Sequence, residues 1–258
     1  MKTGSIHPRW LSSMENKKIP AKLYLCATPI GNLEDITLRC LRILRGAAAV
    51  YCEDTRNTLK LMNHFEIKKT LISCHEHNEE QRANEIAERV RGGEAIAFVS
   101  DAGMPGVSDP GSRLVRFFVE NNLPFEVLPG ANAVLTAWVM SGLPTESLYF
   151  CGFIPRSGAE RSEAVERIKN SEATVVLYES PHRVAATFAD FSELFPNREC
   201  ALVREITKNF EQVIRGTAAE LAAFVQAYGY QVERAQFVKG CPLYECILVA
   251  RENGHDGP

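Results

Sequence analysis

Between Lys22 and Gly142, short apolar runs alternate with longer segments in which apolar positions recur at helical spacing. KLYLCAT, AAVYCED, TLISC, AIAFVS and FEVLP have the length and content of buried strands. TLRCLRILRGA, TRNTLKLMNHF, NEEQRANEIAERVR, SRLVRFFVENN and AVLTAWVMSGL, which follow them in turn, read as helices. Strand and helix in alternation predict a parallel sheet with helices on both faces. In such a sheet, ligands bind beyond the carboxyl ends of the strands, near the point where strand order reverses. The alternation pauses around Leu143–Ser147. After it come the strands SLYFCGF, ATVVLYES, CALVREITK, FEQVIRG and YECILVA, with helices through RSGAERSEAVERIKN, from Pro181 to about Leu194, and through TAAELAAFVQAYG. Two of these strands follow one another without a helix, which predicts a mixed sheet. The expected organisation is therefore a disordered leader at 1–20, an N-terminal α/β domain at 21–143, a C-terminal α/β domain at 144–252 and a tail at 253–258.

The turns at the predicted strand ends hold the candidate chemistry. Residues 99–112, VSDAGMPGVSDPGS, place two Asp-Gly-Pro turns in tandem after a buried strand. Gly103, Gly106 and Gly111 can take positive φ or let backbone approach a ligand, while Pro105 and Pro110 fix φ and remove donors. Asp101 and Asp109 sit at the rim of this side-chain-poor cradle, where a carboxylate caps backbone or accepts hydrogen bonds from amino and hydroxyl groups. The first turn, Thr28-Pro29-Ile30-Gly31-Asn32-Leu33, lacks both the G-x-G-x-x-G spacing and the Walker lysine, so nucleotide phosphate is not favoured.

Composition narrows this only slightly. The chain has 258 residues, 45% hydrophobic and 24% charged, enough for two modest domains. Its eight cysteines form no C-x-x-C pair and fall in apolar runs, which predicts reduced, buried thiols in the cytoplasm. Residues 1–20 contain Arg9, Lys17 and Lys18 but no apolar stretch long enough for a signal peptide or membrane span. A net charge of −3 does not mark a nucleic-acid binder, although a local basic face would suffice. His75 and His77 resemble a metal pair, yet only Glu76 and Glu79 stand near them, and no metal is expected.

Six motifs, ATPIGNLEDIT, CEDTR, SDAGMPGVSDPG, LPGANA, ESPHR and REITKNFE, occur in the order and spacing of the RsmI family, bacterial ribosomal RNA small-subunit methyltransferases. The resemblance spans about Lys22 to Val249. It implies a two-domain tetrapyrrole-methylase-like (class III) α/β fold and a homodimer. It also implies S-adenosylmethionine bound in the cleft between the domains, and methylation of a cytidine ribose 2′-hydroxyl in the decoding region of 16S rRNA, free or in the small ribosomal subunit. By the same resemblance Asp101, Ala102, Gly103 and Val107 lie near the methyl donor, and Ser108 and Asp109 support its loop. Pro29, Gly31, Gly130 and Ala133 close over it, and Glu179 joins the donor-binding set. Three departures stand out: Met104 where threonine is common, Gly106-Val107 where bulkier aliphatics are usual, and Lys239-Gly240-Cys241 with an insertion before Glu245.

Transfer of a methyl group to a hydroxyl also requires a proton acceptor. Polar residues at the strand ends supply candidates: Glu205, Lys208 and Asp54 for catalysis, and Arg56, Arg183, Arg204 and Lys208 for RNA. Glu205 and Lys208 suit a salt-bridged pair if the chain turns after its strand. His182 reads as a cap or surface residue, and Trp138 and Met140 as core or dimer packing. Arg39, Arg42 and Arg45, with Arg56, Lys60, Arg156, Arg161 and Arg167, are candidates for a basic rim. Two other readings compete: a tetrapyrrole C-methylase of the same fold, and a non-catalytic RNA-binding module in ribosome assembly. ESPHR and REITK favour the RNA branch.

Overall fold

The computed structural model describes residues 19–227 and 245–249. Most of the expected leader, the tail at 253–258 and the Lys239-Gly240-Cys241 departure lie outside them. Ile19 is buried in the core and the Tyr24 hydroxyl donates to the Pro20 carbonyl at 3.0 Å, so these two residues belong to the first unit's packing.

The chain divides into two compact units, Met1–Ala131 and Asn132–Pro258. In the first, strands β1 (Leu23–Cys26), β2 (Ala49–Cys52), β3 (Leu71–Ser73), β4 (Ile96–Val99) and β5 (Phe125–Leu128) form a sheet of order β3-β2-β4-β1-β5. Every pairing is parallel, as the alternation predicts. Helices α1 (Leu38–Gly46) and α2 (Thr55–His64) cover one face, and α3 (Glu79–Arg91) and α4 (Ser112–Glu120) the other. The strand period of two explains the division. Tyr24 and Cys26 of β1 join Leu44 and Met62 on one face, while Leu23 and Leu25 join Ile86, Leu114 and Phe118 on the other. Strands buried on both sides read as continuous apolar runs, and each fully buried Phe98 or Phe118 side chain stabilises the sheet by about 1.5–3 kcal/mol. The helices begin where the sequence supplies caps. Thr37 Oγ1 accepts from Cys40 N at 3.0 Å at the start of α1, and Asp54 Oδ1 from Arg56 N at 2.8 Å at the start of α2.

The second unit opens with α5 (Ala133–Ser141), followed by β6 (Leu148–Phe153), α6 (Gly158–Lys169), β7 (Thr174–Glu179), α7 (Val184–Leu194), β8 (Glu199–Arg204), β9 (Gln212–Thr217), α8 (Ala218–Ala227) and β10 (Glu245–Val249). Its sheet has the order β6-β7-β10-β8-β9, with β6 and β7 parallel and the other neighbours antiparallel. Helices α6, α7 and α8 build the core on this sheet around Phe188, Phe191 and Leu221. The units part after Ala131, about a dozen residues before the expected limit at 143, and α5 is the reason. That helix packs against β7, β8, β9 and β10, and Arg215 of β9 donates to the carbonyls of Ser141, at 2.6 Å from Nε, and Met140.

Candidate active site

In the first unit β1 and β4 are neighbours whose following connections run opposite ways, to β2 and to β5. This is the switch point at which open α/β sheets bind ligands. Here the two strand-end loops are joined directly. Thr28 N donates to Gly103 O at 2.9 Å and Gly103 N to Thr28 O at 3.0 Å, an antiparallel bridge beyond a parallel sheet. Thr28 Oγ1 adds a bond to Ser100 O at 3.3 Å. Gly103 has φ +77°, and a Cβ there would lie 3.2 Å from Ile30 Cγ2. At Gly130, beyond β5, a Cβ would lie 2.8 Å from the Ala27 Cβ. The structure thus brings Pro29, Gly31, Ala102, Gly103 and Gly130 to one end of one sheet, with the glycines Gly103 and Gly130 packed against the side chains of Ile30 and Ala27. Val107 and Ser108 are exposed in the same loop, whereas Ala133 begins α5 in the second unit.

Carboxylates line this end. Asp101 Oδ1 accepts from Asp54 N at 3.2 Å, Asp101 Oδ2 accepts from the Asn57 amide at 2.8 Å, and Asp101 N reaches Glu53 Oε2 at 3.5 Å. Burial, reinforced by the charges of Asp101 and Asp109, pushes Glu53 up to about 7. Burial lifts Asp109 to about 6 against a hydrogen bond from Ser100, and it raises Asp101 as well. Where ionised, these carboxylates suit a cationic ligand. Asp54 is different: hydrogen bonds from the Arg56 side chain and backbone hold it below the usual carboxylate range, which makes it a helix cap and a poor base. Sequence reasoning missed Asn57 as a partner of Asp101, although it stands three residues after the Asp54 cap, where α2 faces the loop.

In the second unit the carboxyl ends of β6, β7 and β8 share one edge, since β7 and β8 each run antiparallel to β10. The turn after β8 bears out the expected pair, Lys208 Nζ donating to Glu205 Oε1 at 3.2 Å. Glu205 and Thr207 have φ +51° and +64°, a left-handed conformation rare for a β-branched residue, and Thr207 Oγ1 is buried without a hydrogen-bond partner. Thr207 N donates to Glu211 Oε2 at 2.7 Å and Lys208 N to Glu205 O at 2.9 Å, which hold the turn in that state. Arg204, at the end of β8, is half-buried.

Glu179 has no exposed surface. Its oxygens accept from Ser180 N at 2.8 Å and Thr187 Oγ1 at 2.7 Å, and Arg183 Nε lies 3.4 Å away. Arg183 also donates to the carbonyls of Ile154 at 3.0 Å and Pro155 at 3.1 Å, so the ESPHR pair ties β6 to β7. Arg161 holds Asp190 and Pro155 O, and Arg39 pairs with Glu126, which leaves both committed to the fold. Arg56 is widely exposed although paired with Asp54, and His182 is exposed as expected. Two exposed aromatics on this edge had no sequence signal: Phe210, 75% exposed beside Lys208, and Phe153, 46% exposed against Tyr178. Among the described residues no group of three or more His, Cys, Asp or Glu could hold a metal ion.

Comparison with known proteins finds relatives over most of this chain. The family model described as Tetrapyrrole (Corrin/Porphyrin) Methylases matches residues 22–222. A protein named ribosomal RNA small subunit methyltransferase I from Halalkalibacterium halodurans is 43% identical over 228 residues, 88% of this chain and 79% of that protein. Its namesake from Neisseria meningitidis serogroup B is 42% identical over 249 residues, 96% of this chain and 82% of that one. Among solved structures, uroporphyrin-III C-methyltransferase from Thermus thermophilus complexed with S-adenyl homocysteine has a TM-score of 0.58 at 20% identity, covering 88% of this chain and 96% of its own. Diphthine synthase has a TM-score of 0.65 at 15% identity, covering 88% and 89%. These two likenesses concern the fold.

Proposed function

The chain belongs to the ribosomal RNA small subunit methyltransferase I family of tetrapyrrole methylases, and from that premise we propose that it methylates the ribose 2′-hydroxyl of a cytidine in the decoding region of 16S rRNA, with S-adenosylmethionine as donor. The observation that carries the reading is the bridged Thr28–Gly103 switch point with Asp101, Asp109 and Glu53 around it. The residues fit the donor. Its ammonium and sulfonium charges suit a carboxylate-lined cradle, its ribose hydroxyls suit Asp101 or Asp109 as acceptors, and Gly103 and Gly130 leave room for close backbone approach.

When bound, the donor supplies a methyl group activated by its positive sulfur. The chain's part is to hold that group in line with the attacking oxygen, which supplies about 7–11 kcal/mol through positioning alone. The oxygen must lose its proton as the carbon–oxygen bond forms and the carbon–sulfur bond breaks. We assign the proton to Glu205, whose carboxylate Lys208 holds at 3.2 Å, a contribution of about 10²–10⁴-fold. Lys208 and Arg204, with Arg56 on the first unit, are assigned to RNA phosphate and ribose, and Phe210 to stacking on an unpaired base. Asp54, Glu179 and Arg183 are assigned to the fold.

We also propose a homodimer. Helix α5 is apolar on every side, one side packs on its own sheet, and Leu135 and Val139 remain 51% and 73% exposed one turn apart. From ribosomal RNA as the proposed substrate we infer that the reaction takes place in the cytoplasm.

The test is to incubate the purified protein with methyl-labelled donor and, separately, small ribosomal subunits, naked 16S rRNA and a uroporphyrinogen. Label in a cytidine ribose of the RNA is expected. Label in the porphyrinoid, or none in RNA under any condition, would overturn the reading.

A further inference from the structure

Helix α4 starts on Gly111, whose φ of +129° and crowded setting require glycine: a Cβ there would lie 3.1 Å from both Phe98 Cε1 and Gly106 N. A glycine has no side chain with which to cap the helix, so the first N–H groups of α4 need an acceptor from elsewhere. Glu79 provides it. From the first turn of α3, 32 residues before Gly111, its Oε1 accepts from Gly111 N at 3.0 Å and from Leu114 N at 2.9 Å, and the residue is 2% exposed. A carboxylate there also meets the positive end of the α4 dipole.

The donor loop is thus anchored at two separate places. Its first half is fixed by the Thr28–Gly103 bridge. Its second half closes on itself through Gly106 N to Pro110 O at 3.1 Å, and the junction with α4, two residues after Asp109, is tied to α3 by Glu79. Nothing in the motif SDAGMPGVSDPG contains this residue. We infer that Glu79 is a positioning residue for the donor site: it touches no substrate and sets donor affinity by holding the Ser108–Gly111 segment, an inference that rests on this loop being the donor loop.

Calorimetric titration with S-adenosylmethionine and steady-state kinetics on Glu79→Ala and Glu79→Gln test it. Removing the acceptor leaves two buried N–H groups unsatisfied. Glu79→Ala is therefore expected to weaken donor binding about tenfold or more and to raise the donor KM. Turnover at saturating donor and RNA affinity should stay unchanged. Glu79→Gln keeps a carbonyl oxygen for both N–H groups and is expected to retain most of the affinity. Should Glu79→Ala not fold, Gly111→Ala disturbs the same junction with the carboxylate intact and is expected to show the same rise in KM alone. Wild-type donor affinity in a folded Glu79→Ala protein, or a glutamine variant no better than alanine, would overturn the inference and leave the functional reading standing. Absence of donor binding by the wild type would instead remove that reading, and the inference with it.

Discussion

Glu53, at about 7, and Asp109, at about 6, change charge between about pH 5 and pH 8. A cationic donor favours their ionised forms, so its affinity should rise between about pH 5.5 and pH 8 and fall as either carboxyl takes a proton. Glu53→Gln and Asp109→Asn should each flatten that profile, measured by calorimetry at several pH values. The free protein should behave in the opposite way. Folding raises Glu53 above its ordinary 4.5, so the folded state binds the proton more tightly than the unfolded chain. That contribution to stability is complete below about pH 4.5 and disappears as pH rises through about 7, and thermal melts of Glu53→Gln against wild type should show it. In the proposed roles, Asp101 and Lys208 separate donor binding from turnover. Asp101→Ala should weaken donor binding at unchanged RNA affinity, whereas Lys208→Ala should leave donor binding intact and lower turnover. Equal loss of donor affinity in both would refute the division.

At the scale of elements, two strand-end turns resist ordinary substitution for different reasons. Gly130→Ala places a methyl 2.8 Å from Ala27 Cβ, a methyl fixed to the backbone with no rotamer by which to move aside, and should cost about 1–3 kcal/mol together with donor binding. Thr207 holds a left-handed φ of +64° and a buried hydroxyl without a partner, so Thr207→Gly relieves strain while adding unfolded-state freedom. Its melting temperature should stay level or rise while turnover falls, because the turn then holds Lys208 and Phe210 less firmly. These turns also mark the limit of what periodicity conveys. Strands and helices were legible throughout, since apolar spacing reports burial against a sheet face, and Gly103, Gly106 and Gly111 take the positive φ that their glycines suggested. Contacts between distant segments left no such trace. A glutamate inside a charged helix looks the same whether it faces water or, like Glu79, caps a helix 32 residues on. Glu179, expected in the donor-binding set, and Arg183, expected at RNA, both make hydrogen bonds within the second unit that no spacing announced. The limit between the units was misplaced because the loop at 142–147 has stronger turn chemistry than the short link ahead of α5.

For the whole molecule, the exposed Leu135–Val139 stripe makes oligomeric state measurable independently of activity. Val139→Glu should halve the mass seen by light scattering if a second copy covers α5, and should leave it unchanged if none does. Strand order has a different consequence, for the time at which the site exists. Among the described residues the first strand lies between β4 and β5, so LYLC has neither of these neighbours until residues 96–128 have been made. At about 5–20 residues per second, that leaves an apolar strand without its pairing for about 5–20 s on the ribosome. The Thr28–Gly103 bridge can close only after β1 has docked beside β4, so the proposed donor site forms late, once residues through Gly103 have been made. A ligand captured so late cannot template folding. It should act afterwards, by slowing unfolding, and newly made chains held before residue 128 should depend on chaperones in a way that finished ones do not.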